Sequence, residues 1–192
     1  MTIMTTVTYM EMTSYPTHLN FDYPAKTKID VKQLVDPSVE FYRYLYNTIG
    51  EKWTWIERRI LSDVELQKLI KSPNIKIYVL YSENVVAGFG EIGWDEVTKG
   101  SDIKYFGLMP EFIGKGLGRY FLHTIIHKAW QNFPLRLRVN TCDLDHPTAL
   151  GLYQQSGFKI LDEIIETLPD PSSVGLSIPP QHSERLKRRE NQ

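Results

Sequence analysis

The chain has a single cysteine, Cys142, among its 192 residues. No internal disulfide can therefore brace it, and a reducing compartment suits it. It lacks any apolar run approaching the roughly 20 residues that a membrane-crossing helix needs. It also lacks an excess of charge: 22 Lys and Arg stand against 23 Asp and Glu, for a formal net of −1. A chain so balanced is not drawn to nucleic acid or to an anionic membrane by bulk electrostatics. Its opening MTIMTTVTYM has no basic flank and no extended apolar core, so it does not read as a secretory signal. No internal repeat is visible. The expectation is a cytoplasmic protein without nucleic-acid or membrane partners. The apolar fraction of 42% and aromatic fraction of 12% suffice for the core of one domain.

Periodicity divides the chain further. Residues 6–13 and 28–35 alternate as strands. Asp36-Pro37-Ser38 opens a helix whose Phe41, Tyr42, Leu45 and Ile49 share one face, with Gly50 closing it. Ser62 and Glu65 form a capping-box signature for a second helix, stopped at Ser72-Pro73. Residues 75–81 and 85–94 flank a short turn and read as an antiparallel hairpin, with another strand at 102–109. A long amphipathic helix follows, on Leu117, Phe121, Leu122, Ile125, Ile126 and Ala129. The pattern ends with a strand at 135–141, a short helix from Pro147 to Gly157, and a strand at 158–168. Three regions result: an N-terminal strand and irregular extension (1–27), a mixed α/β domain (28–168) and a flexible, basic-ended tail (169–192). No seventh strand of the domain follows Leu168. The strand at 6–13 is therefore expected at a sheet edge, supplied in cis or by a second copy in a homodimer.

Before the long helix lies IGKGLG, residues 113–118, with glycine at every second position. A Walker loop needs Lys followed by Ser or Thr, but Lys115 precedes Gly116. A dinucleotide fingerprint starting at Gly114 would need a third glycine where Arg119 stands. Two readings remain. The glycines form a simple strand–helix turn, or they let an anion approach the unpaired N–H groups and positive dipole of the helix start.

Leu108-Met109-Pro110 followed by this loop resembles motif A of the GCN5-related N-acetyltransferases, the GNAT superfamily. HPTALGLYQQSGF, residues 146–158, resembles their motif B, with Ala149, Tyr153, Gly157 and Phe158 on pattern. Two departures are visible: Ile113 replaces the usual Arg or Gln, and His146 the usual Asn. The resemblance covers roughly residues 28–168. It implies a mixed central sheet with an antiparallel N-terminal part and splayed parallel fourth and fifth strands, here residues 102–109 and 135–141, flanked by about four helices. It implies transfer of an acetyl group from acetyl-CoA, without a metal, to a primary amine on a small molecule, amino acid or peptide N-terminus. A non-catalytic acyl-CoA-binding protein on the same fold is the alternative.

Carried over residue by residue, the resemblance gives acetyl-CoA to Leu108, Met109, Gly114, Lys115, Gly116, Leu117, Gly118, Arg119, His146 and Tyr153. Tyr153 matches the family's general acid, with packing in the core as the alternative. For a base, Asp102 matches a glutamate of some members, and Glu91 on the preceding strand is a second candidate. Trp53, Trp55 and Tyr105 are candidate walls of the amine pocket, again with core packing as the alternative. His123 and His127 have i, i+4 spacing but no metalloprotease glutamate between them, so no metal site is expected.

Overall fold

The computed structural model describes residues 2–22 and 27–177. Seven strands form one sheet: β1 (Thr2–Met12), β2 (Ile29–Gln33), β3 (Ile75–Ser82), β4 (Val85–Asp95), β5 (Gly100–Leu108), β6 (Arg136–Cys142) and β7 (Lys159–Pro169). Four helices cover it: α1 (Val39–Gly50), α2 (Asp63–Ile70), α3 (Leu117–Trp130) and α4 (Ala149–Gln155). The strand order is β2-β3-β4-β5-β6-β1-β7, antiparallel everywhere except at β5–β6. Among the described residues no helix is long and apolar enough to cross a membrane.

Local chemistry explains where the elements start. Ser38 accepts a hydrogen bond from the Phe41 N–H at the head of α1. Ser62 and Glu65 cap each other at the head of α2, as the capping-box spacing predicts. The β3–β4 hairpin turns on Glu83 and Asn84, both at positive φ (50° and 65°). That backbone matches the twist of the strands it joins.

Two apolar layers sandwich the sheet. One packs Leu117, Phe121, Leu122, Ile125 and Ile126 of α3 on Met10, Leu80, Ile92, Ile103 and Leu137. The other packs Tyr42, Leu45 and Ile49 of α1 and Leu66 and Ile70 of α2 on Ile77, Val79 and Phe89.

The N-terminal strand corrects an expectation. β1 is no edge strand but lies inside the sheet, antiparallel to β6 on one side and to β7 on the other. It comes from the same chain and leaves β7 as the edge. Period-two alternation reports which face of a strand is buried and says nothing of which strands flank it. The described part of the C-terminal region is also ordered locally: Pro171–Val174 form a 3-10 turn and Leu176 is buried. The rest of the expected tail, from 178 onward, lies outside the described residues.

The connection after β1 is tied to α3. His123 is 4% exposed, and its Nδ1 lies 2.8 Å from the Asn20 carbonyl oxygen and 3.0 Å from the Asn20 N. His127 Nδ1 lies 3.1 Å from the Tyr15 hydroxyl. Each histidine thus has its own partner on the N-terminal segment. No group of three or more metal-ligating side chains occurs among the described residues.

Burial lowers the His123 pKa below that of a free imidazole. The unfolded chain then takes up a proton that the folded one refuses. Stability from this site is full above the ordinary imidazole range and falls as pH drops through it. We expect the wild-type melting temperature to fall more steeply between pH 7.5 and 5 than that of His123→Gln. Parallel pH–melting curves for the two proteins would refute this.

Candidate active site

β5 and β6 pair only from Gly100↔Arg136 to Ile103↔Val139, and beyond that register they separate. The divergence coincides with a bulge in β5: Ile92 faces Ile103 but Glu91 faces Tyr105, leaving Lys104 as the extra residue. A bulge bends its strand and sharpens the twist. Residues 104–108 are left with β4 on one side and no ladder partner on the other. A cleft of about 520 Å³ opens into this gap and runs along both sides of it.

On one side lie Ile113, Gly114, Gly118, Thr148, Ala149, Leu152 and Tyr153. Gly114 and Gly116 have φ of 80° and 79°, where side chains are disfavoured. A Cβ at either would meet no protein atom within 4 Å, so their conformation, not crowding by the chain itself, calls for glycine. Gly116 is the N-cap of α3; no side chain caps that end and its first turn holds no acid. The helix start therefore presents backbone N–H groups and positive dipole to an open space, the arrangement that suits phosphate. Lys115 lies over the Phe112 ring at 4.9 Å, and Arg119 donates to Gln155 Oε1 at 3.2 Å. The residues present fit a pyrophosphate.

Tyr153 is 6% exposed and packs edge-on against Phe158 and Phe106. Burial, then the nearby charge of Asp145, pushes its hydroxyl pKa up, so the group keeps its proton at neutral pH. His146 Nδ1 accepts from the Thr148 N–H at 3.2 Å. This is the side-chain-to-backbone turn that an Asn carbonyl makes, which explains why His can stand there.

The other side of the cleft is aromatic. Tyr46, Trp55 and Tyr105 pack against one another, and Trp53 meets His146 edge-on at 5.1 Å. Both indoles line the cleft; the intervening Thr54 is buried in the left-handed region at φ 60°, a strained backbone of the sort found at ligand sites. Three carboxylates line it as well. Asp145 accepts from the Thr141 hydroxyl (2.8 Å), the Cys142 N–H (2.9 Å) and the Trp55 indole (3.4 Å). Glu57 accepts from the Tyr105 hydroxyl and Glu166 from the Tyr9 hydroxyl. Hydrogen bonding to Glu166, then burial, pushes the Tyr9 pKa up to about 12, and Glu57 adds to the shift.

The family model for acetyltransferases of the GNAT family matches residues 36–158, more than half of the chain. The chain belongs to the GNAT family. Solved structures agree on the fold. A conserved Staphylococcus epidermidis protein of unknown function superposes with a TM-score of 0.60 at 14% identity, covering 87% of this chain and 62% of that one. An aminoglycoside acetyltransferase from an uncultured soil metagenomic sample gives 0.59 at 14%, covering 74% and 95%. A GCN5-related N-acetyltransferase from Sphaerobacter thermophilus gives 0.58 at 12%, covering 88% and 52%. The chain thus spans less than two thirds of the first and last of these. No curated protein matches it.

Within this GNAT fold the expected site residues separate. Leu108, Gly114, Gly118, His146, Tyr153, Trp53, Trp55 and Tyr105 all line the cleft. Met109 and Leu117 do not: their side chains are buried in the two cores, at 0% and 1% exposure. Lys115, Gly116 and Arg119 sit on the glycine loop and first turn of α3 beside the cleft.

Neither expected base reaches the cleft. Asp102 precedes the bulge, pairs with Lys104 at 2.7 Å and borders a separate surface depression with Glu65 and Lys68. Glu91 is fully buried, with Arg58 Nη2 at 2.8 Å from Oε1 and the Tyr42 hydroxyl on Oε2. Strand alternation placed Glu91 on the α1 face, and α1 covers that face. Sequence reasoning missed Tyr46, Glu57, Asp145 and Glu166. They arrive from α1, the α1–α2 connection, the β6–α4 turn and β7, and no local pattern links them.

Proposed function

We propose that the chain is an acetyl-CoA-dependent N-acetyltransferase acting on a primary amine by direct attack. The observation that carries this reading is the opening of β5 from β6 beside an uncapped, glycine-ended helix, with Tyr153 in the wall between. Acetyl-CoA supplies an activated acetyl thioester. The N–H groups of Gly116, Leu117 and Gly118, with Lys115 and Arg119, would hold its phosphates. The free edge of residues 104–108 would accept its amide arm as an added strand, a mode that asks little of side chains. A backbone N–H near Leu108 would face the carbonyl oxygen. Tyr153, kept protonated by burial, donates to the departing sulfur.

An attacking amine of pKa about 10.4 must shed a proton. Glu57, which lines the aromatic side of the cleft, would take it, directly or through water.

Tyr153→Phe keeps the ring and removes the proton. Turnover should fall by roughly ten-fold or more while acetyl-CoA affinity barely moves, since the group acts on the leaving sulfur. Free-thiol release and calorimetry on the two proteins measure both quantities. Unchanged turnover would reduce Tyr153 to packing. Acetyl-CoA binding with no turnover on a broad amine panel would favour a non-catalytic binder.

A further inference from the structure

The acceptor half of the cleft has an unequal chemistry. The Tyr46, Trp55 and Tyr105 ring centroids lie 4.9 to 5.3 Å apart. Val7, Ile60 and Leu168 add apolar surface to it. Carboxylates are few and partly committed. Asp145 is taken up by three donors from its own chain. Glu57 and Glu166 each already accept a tyrosine hydroxyl. A polyamine or aminosugar brings several ammonium groups and many hydroxyls, and each must find a partner when it leaves water. The Thr5 and Thr141 hydroxyls on this wall are already bonded, and the unpartnered Thr54 hydroxyl adds a single group, too few for such a molecule. A flat apolar body loses little on leaving water and gains ring contacts of 4.5–7 Å.

We propose that the acceptor is a monoamine carried on an aromatic body, an arylalkylamine in chemical class. Its ring lies against Trp55 and Tyr105, which the buried Tyr46 backs, and its nitrogen enters on the Glu57 side. This rests on the transferase reading above and narrows it.

The experiment compares 2-phenylethylamine, spermidine and kanamycin as acceptors, following free CoA thiol. The kcat/KM for 2-phenylethylamine should exceed the other two by at least about ten-fold, a modest demand for a pocket that leaves extra ammonium and hydroxyl groups unpaired. Tyr105→Leu should shrink that ratio, through KM more than kcat. Equal or reversed preference overturns the inference and leaves the transferase intact.

Binding gives a second readout, because two of the four tryptophans, Trp53 and Trp55, line the cleft. Saturable quenching by 2-phenylethylamine at lower concentration than by spermidine supports the class even without turnover. Equal quenching, or none, counts against it. Failure of acetyl-CoA itself to bind in calorimetry would instead remove the reading underneath.

Discussion

Gly116→Glu is expected to abolish acetyl-CoA binding while leaving the chain folded. The new side chain enters space in which no protein atom lies within 4 Å of the Cβ, so steric conflict with the protein is not at issue. Holding a non-glycine residue at φ 79° costs roughly 1–2 kcal/mol. A carboxylate at the N-cap of α3 returns part of that, about 0.3–1 kcal/mol, through the helix dipole. Stability therefore moves little. Binding moves far, because the carboxylate takes the N–H groups that would hold phosphate and repels it as well. A loss of at least about 100-fold in affinity, near 2.7 kcal/mol, is expected. Gly116→Ala introduces the strain without the charge and should lose much less. Calorimetry of both variants, with melting curves alongside, checks this. Binding of Gly116→Glu within ten-fold of wild type would place the phosphates elsewhere.

The same loop shows what could be read from residues alone. IGKGLG and the tyrosine of the short helix were legible because their spacing is local: a turn, a cap and a helix face are each set within a few residues. The sheet's strands were legible for the same reason. The position of β1 between β6 and β7 was not, since pairing partners more than 120 residues away leave no mark on a strand's own alternation. The bulge at Lys104 separates Asp102 from the cleft, and nothing in DIKYFGLM signals an extra residue there. Alternation puts Glu91 on the same face of its strand as Phe89, without telling what covers that face. Its burial under α1 by Arg58 and Tyr42 is a contact between distant segments. Local pattern thus reached the glycine-loop side of the cleft, whereas the aromatic side is assembled from several separate elements.

Arg58→Met is expected to be the most destabilising of these changes. It strips the guanidinium from Glu91, which is fully buried and left with only the Tyr42 hydroxyl. Removing one partner of a buried ion pair costs about 3–5 kcal/mol, because the surviving charge has lost its compensation. In a chain of this size each kcal/mol lowers the melting temperature by about 2–4 °C, so a fall of roughly 10 °C is predicted. Arg58→Met combined with Glu91→Leu removes both charges and should regain most of that stability. The double variant also separates two roles for Glu91. The Arg58 guanidinium lies over the Tyr105 ring at 4.9 Å, whereas the bond to the Tyr46 hydroxyl at 3.2 Å comes from the Arg58 backbone N–H and survives the substitution. The side chain therefore braces Tyr105, one of the three rings of the aromatic wall. If Glu91 and Arg58 are a brace, the double variant keeps acetyl-CoA affinity and shows a raised acceptor KM with a smaller change in kcat. A collapse of kcat at unchanged acceptor KM would instead make Glu91 the proton acceptor and displace Glu57 from that role. A melting temperature within about 2 °C of wild type for Arg58→Met, below the shift that 1 kcal/mol produces, would mean that the buried carboxylate is compensated by something other than the guanidinium.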